Sequence, residues 1–174
     1  MAEVRVGIRS ISRQMMKITI LAVGRLQERY WQEACAEYGK RLARYCALQV
    51  IEVRDEKAPE NASDADRAGI LKTEGERLLA KLDPSAPLWT LEIRGKRMDS
   101  EGFARALEQS AVQGISHLQF AIGGSLGLDR AVSERAAVKL SFSDMTFPHQ
   151  LMRVILSEQI YRAFRIMRGE PYHK

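Results

Sequence analysis

His117-Leu118-Gln119-Phe120-Ala121-Ile122-Gly123-Gly124-Ser125-Leu126-Gly127 is the stretch on which the fold turns. An apolar run of strand length opens straight into a glycine-rich loop. A short helix then covers Asp129–Ala137, and Val138-Lys139-Leu140-Ser141-Phe142 alternates as a further strand. The same alternation recurs toward the amino terminus. Lys17–Val23 is a β-branched apolar run closed by Gly24, and Tyr30–Tyr45 carries Trp31, Ala34, Cys35, Tyr38 and Leu42 at helical spacing. Leu48–Val53 reads as the second strand. Asp55–Asp66, rich in Pro, Asn, Ser and charge, reads as a mobile loop whose Ser63 or Asp64 caps a helix running to about Leu82, where Asp83-Pro84 stops it. Leu88–Ile93 is the third strand, broken by Arg94-Gly95-Lys96-Arg97. Asp99 or Ser100 then caps a helix with Phe103, Ala106, Leu107 and Ser110 on one side and Gly114 at its end. Toward the carboxyl terminus, Pro148 closes a loop. His149 to about Met167 follows as a long helix carrying Leu151, Met152, Ile155, Leu156, Ile160, Ala163, Phe164 and Met167, ended by Gly169 and Pro171. Strands alternating with helices specify an α/β class, a parallel sheet with helices on both faces and ligands at the carboxyl ends of the strands.

With 174 residues, 45% of them hydrophobic and 28% charged, the chain has material for one core, and no repeat or linker divides 16–174. The formal net charge of +5 favours a polyanionic partner without naming one. Cys35 and Cys46 form no C-x-x-C pair and have no flanking ligands, so they read as free thiols in a reducing cytosol and no metal site is expected. No run approaches the roughly 18 to 20 apolar residues that a membrane span needs. Arg5, Arg9 and Arg13 interrupt any signal-peptide core, and Met15 and Met16 stand before a clean strand signal. Residues 1–15 therefore read as a non-native or mobile extension, with a short targeting arm as the alternative, and a cytoplasmic location is expected.

Under this architecture, loops at Glu92–Met98, Gly123–Gly127 and Ser143–Pro148 converge on one pocket. A glycine loop lets backbone amides approach a ligand, yet alone it is as often a structural turn. It is not the G-x-G-x-x-G of a dinucleotide fold.

Four ordered blocks carry more. They are Ala121–Gly127, Leu140–His149, Arg153–Ala163 and the ending Pro171-Tyr172-His173-Lys174. Together with Lys17–Gly24, Tyr38 with Lys40-Arg41, Glu74-Gly75-Glu76 and Leu91–Lys96, they resemble the ribosomal RNA large subunit methyltransferase H family of the SPOUT class over essentially all of 16–174. The resemblance implies a SPOUT fold with a carboxyl-terminal trefoil knot, an arrangement that general topology rules disfavour. It implies S-adenosyl-L-methionine bound in a bent form, chiefly through backbone groups at Leu91, Gly124 and the run Ser143, Asp144, Met145, Thr146, Phe147 and Pro148. It further implies methylation of N3 of a pseudouridine in 23S ribosomal RNA, on the assembled ribosome, by a homodimer. Ser125 stands where the family commonly has proline, a change that bears on loop rigidity.

Such a transfer is mainly a matter of aligning donor and acceptor, with a base or cation beside the methyl group because the imide N–H must lose its proton. His149, Arg153, Tyr172 and His173 are the candidates. Each has a bland alternative: a helix-start histidine often caps or packs, Arg153 could pair with Glu158 or Asp144, and the ending Gly169–Lys174 could be a frayed terminus. His117 reads as structural. The long helix mixes Arg153, Arg162, Arg165 and Arg168 with Tyr161 and Phe164, which suits an RNA backbone and stacked bases. Its pattern alone favours ordinary core, whereas the resemblance favours a dimer interface. A non-catalytic ribosome-associated protein and an unrelated α/β nucleotide-binding enzyme are the competing readings.

Overall fold

The computed structural model describes residues 15–172, so the extension 1–15 lies outside it except for Met15, as do His173 and Lys174. Five strands pair in parallel in the order β2-β1-β4-β3-β5. They are β1 (Met16–Val23), β2 (Cys46–Val53), β3 (Leu88–Arg97), β4 (His117–Ile122) and β5 (Val138–Ser141). The helices between them are α1 (Arg29–Leu42), α2 (Asp64–Leu79), α3 (Ser100–Val112), α4 (Arg130–Glu134) and α5 (His149–Met167).

Pleat alternation sorts the core into two layers. Ile18, Ile20 and Ala22 of β1, with Phe120 of β4, pack against Leu42 of α1, Phe103 and Leu107 of α3, and Leu156 and Ile160 of α5. The other face sends Leu21 and Val23 against Leu78 of α2 and Val132 of α4. Helices thus cover both faces, as the alternation requires. Ile160, fully buried in this chain's own core, is no surface residue, and Ile155 is half-buried. His117 bridges Thr19 Oγ1 at 2.9 Å and Asp83 Oδ2 at 3.1 Å, a structural role.

Three segments depart from the sequence reading. Arg94–Arg97 does not end β3: Leu91 and Lys96 both register with Leu140, so the residues between them bulge out and the strand resumes. Gly95 permits this, since a Cβ there would lie 2.7 Å from the Leu140 carbonyl carbon. Helix α1 stops at Leu42, and Tyr45 enters the turn that starts β2 at Cys46. The loop read as mobile from Asp55 is anchored at its start, where Glu56 N donates to Glu74 Oε1 (2.9 Å) and Arg77 donates to the Arg54 carbonyl (2.8 Å). At its far end, Ser63 caps α2 through a reciprocal bond pair with Asp66.

Candidate functional site

A cavity of about 620 Å³ opens at the carboxyl ends of β3, β4 and β5. Its walls are Leu91–Ile93, Ile122–Gly127, Leu140–Ser143 and Met145–His149, with Met152 behind them. The volume is in the range of ligand-sized pockets. Each wall is fixed by its own sequence. Gly127 has φ +92° and its N–H closes a turn on the Gly124 carbonyl at 3.1 Å. A Cβ on Gly123 would stand 2.2 Å from the Gly127 carbonyl oxygen, so the loop can fold back on itself only with glycine there. Asp129 then caps α4 through the Ala131 N–H at 2.8 Å. Ser141 Oγ donates within reach of the Ile93 carbonyl (2.8 Å) and the Ser143 carbonyl (3.1 Å), tying the third wall to the first. Ser143 Oγ accepts from Met145 N (3.0 Å) and turns the chain toward α5.

Of the twelve residues expected at the site, Leu91, Gly124, Ser143, Met145, Thr146, Phe147, Pro148 and His149 line this cavity. Asp144 does not. Its carboxylate is exposed and paired with Arg97. Gly124 serves by a different route from the one its position suggests: its Cβ would point away, 3.0 Å from Val23 Cγ1 and 3.1 Å from Glu74 Oε2, so it lets the loop settle on α2.

Arg153 is not brought to the cavity either. Only 2% exposed, its guanidinium holds Glu52 at 2.6 Å and donates to the carbonyls of Val23 (3.0 Å) and Gly24. Its partner is Glu52 rather than Glu158 or Asp144, and it locks α5 to the ends of β1 and β2. Tyr172 packs edge-on against Tyr161 (5.3 Å), lies under Arg162 (4.2 Å) and donates to Glu158 (3.0 Å). Glu158 is nine residues along α5 from His149, a rise of about 13 Å. The tail therefore does not cover this chain's own cavity, and it is packed up to Tyr172 rather than frayed. His173 lies outside the described residues.

Among the described residues, His149 is the one expected base at the cavity. Pro148 occupies the N-cap of α5, and His149 begins the helix without side-chain capping. Burial lowers its pKa below the usual 6.5, Arg153 adds to the effect, and Asp55 opposes it. The ring is thus held neutral and able to accept a proton. Glu92, which the sequence places in a converging loop without a role, lines the cavity, and its carboxylate accepts from Thr90 (2.6 Å) and Ser133 (3.0 Å). Its place at the carboxyl end of β3 was the available signal. Among the described residues no cluster of His, Cys, Asp or Glu could hold a metal, and no helix is long and apolar enough to cross a membrane.

Solved structures share the fold. A solved structure of a probable methylase family protein from Haemophilus influenzae Rd KW20 is similar, with TM-score 0.51 and 12% identity over 91% of this chain and 70% of that one. A probable methyltransferase from Bordetella pertussis Tohama I is similar with TM-score 0.51 and 14% identity over 86% of this chain and 96% of that one. At these identities the likeness concerns the fold. The sequence itself goes further: residues 16–173 match the family described as "Predicted SPOUT methyltransferase", and the chain belongs to the SPOUT methyltransferases.

Proposed function

We propose that this methyltransferase transfers a methyl group from S-adenosyl-L-methionine to N3 of a pseudouridine in 23S ribosomal RNA, acting on the assembled ribosome as a cytoplasmic homodimer. The observation that carries the reading is the cavity itself. Its walls include Leu91, Gly124, Ser143 and Met145–Pro148, all but Asp144 of the positions to which the family resemblance assigns the methyl donor.

The residues present fit that donor. Gly123 lets the loop fold back onto Gly127, where a Cβ would meet backbone, and Leu91, Leu126, Leu140, Phe142 and Met152 supply apolar walls for an adenosine-sized group. Glu92 adds an acidic residue to the same lining, which suits a cationic ligand. When bound, the donor supplies a methyl group already activated on sulfonium sulfur, which leaves the protein the tasks of orientation and proton removal. His149 stands at the wall nearest α5 and takes the imide proton on Nε2 or Nδ1. Arg153 acts one step back, holding the Gly24 carbonyl and so the surface against which His149 packs. Tyr172 and His173 serve the partner's cavity, since the ring of Tyr172 packs along α5 away from its own, and the trefoil knot belongs to the same reading. The excess of basic residues suits an RNA partner.

Calorimetry with S-adenosyl-L-methionine, followed by transfer of labelled methyl to isolated ribosomes, tests the proposal. Binding with transfer supports it. Binding without transfer leaves a non-catalytic ribosome-associated protein, and binding of a dinucleotide instead leaves an enzyme of another type.

A further inference from the structure

The carboxyl ends of β1 and β2 carry polar groups that the donor cavity does not use. Gly24 closes β1 at φ +83° with no side chain. The point where its Cβ would stand is 3.6 Å from His149 Nε2 and 3.6 Å from the carboxyl carbon of Asp55. The imidazole and the carboxylate thus flank one point on the Gly24 backbone. His149 also lines the donor cavity, so that point adjoins it.

Asp55 is held in place without being used. Arg77 of α2 donates to the Arg54 carbonyl (2.8 Å) and pairs with Glu56 (2.5 Å), and Glu56 N donates to Glu74 Oε1 (2.9 Å). Both neighbours of Asp55 are therefore clamped, while its own carboxylate makes no hydrogen bond or ion pair among the described residues. A second oxygen awaits a partner beneath the same seam. Glu74 is 4% exposed and its Oε2 is unpaired, 3.1 Å from where a Cβ of Gly124 would lie; Val23, the residue before Gly24, borders the same point at 3.0 Å. Burial raises the Glu74 pKa, and Asp55 and Glu56 add to that. Carboxylates on the acceptor side of a protein that binds RNA repel phosphate. Carboxylates placed there suit an N–H donor instead, because an ionised carboxylate only accepts.

We propose that the target base docks over Gly24 between His149 and Asp55 and that Asp55 is a specificity-determining residue, accepting the N1–H that pseudouridine has and uridine lacks. This rests on the methyltransferase reading above. Pseudouridine is joined to ribose through carbon, so N1 keeps its hydrogen, whereas in uridine N1 carries the sugar. N1–H and N3–H flank one carbonyl. N1 and N3 are meta on the ring, so a base that turns N3 toward the donor cavity beside His149 turns N1–H to the side, toward Asp55 across Gly24. A hydrogen bond to a charged acceptor discriminates by about tenfold to a hundredfold when the donor is missing.

The test compares wild type, Asp55→Ala and Asp55→Asn by kcat/KM on two ribosome preparations. One carries pseudouridine at the target. The other comes from cells lacking the pseudouridine synthase and carries uridine. Calorimetry with S-adenosyl-L-methionine and a thermal melt accompany each variant. Wild type is expected to prefer pseudouridine by about tenfold or more. Asp55→Ala should lower the pseudouridine rate by about 10- to 100-fold and the uridine rate by less than about threefold, at unchanged donor affinity. Asp55→Asn, which keeps one acceptor oxygen and loses the charge, should fall between. Equal losses on both ribosomes, or no loss on either, would overturn the assignment of Asp55. A wild-type protein that methylates neither preparation would instead remove the function on which it rests.

Discussion

Replacing Arg153 with methionine separates a residue that touches substrate from one that builds the site. Arg153 is 2% exposed and satisfies Glu52 and the carbonyls of Val23 and Gly24. Methionine fills much of the volume but leaves those carbonyls without a partner at the ends of a buried strand. Breaking a buried ion pair from one side costs about 3–5 kcal/mol, and because Glu52 keeps a third of its side chain in water the lower end applies, about 3 kcal/mol. Glu52 also retains its bond from Leu26 N at 3.2 Å. In a chain of this length about 1 kcal/mol moves Tm by roughly 2–4 °C, so Arg153→Met should melt about 6–12 °C below wild type. Circular dichroism against temperature and urea measures both quantities. Glu52→Gln, which preserves the hydrogen bond, should lose less than Arg153→Met. A variant that melts within about 2 °C of wild type yet loses methyl transfer by about 100-fold would refute the reasoning and return Arg153 to the substrate.

Gly123→Ala should abolish donor binding in calorimetry, because its Cβ meets the Gly127 backbone at 2.2 Å, whereas Gly124→Ala, 3.0 Å from a valine methyl, should weaken binding less; the reverse order would misplace the loop. Gly124→Val should lower both affinity and Tm, since its branches press on Val23 and Glu74 rather than on the ligand. The pH profile of kcat/KM should rise through a pKa below 6.5, because protonated His149 cannot accept a proton, and burial with Arg153 holds that pKa down. His149→Ala should remove this limb, and Asp55→Asn should move it to lower pH. Truncation after Gly169 should keep donor affinity within a few-fold and cut methylation by about 100-fold. Full activity of the truncated chain would show that Tyr172 and His173 only pack.

Local signals made most of the fold legible. Apolar periodicity and Gly169 set α5 at His149–Met167, the apolar run Phe120–Ile122 marks β4, and Ser63 marks the start of α2. The converging loops followed from the alternation of strands and helices, which puts ligands at the strands' carboxyl ends, and gave most of the cavity. What escaped depends on contacts between distant segments. Arg153 and Glu52 are 101 residues apart, so the nearer acids looked like better partners. The bulge in β3 exists because Gly95 lets the strand pass close to β5, which no local pattern records. Gly124 suggested a ligand contact, while its missing side chain makes room for Glu74. The ring of Tyr172 folds back on its own helix, a packing that a short Gly- and Pro-interrupted tail does not announce.

Mass spectrometry of large-subunit ribosomal RNA from cells lacking this protein tests the central claim most directly. The account predicts that one pseudouridine loses its N3 methyl group, that the intact gene restores it, and that the Gly123→Ala gene does not. An unchanged modification profile, or a methyl group lost from any other nucleotide, would contradict it.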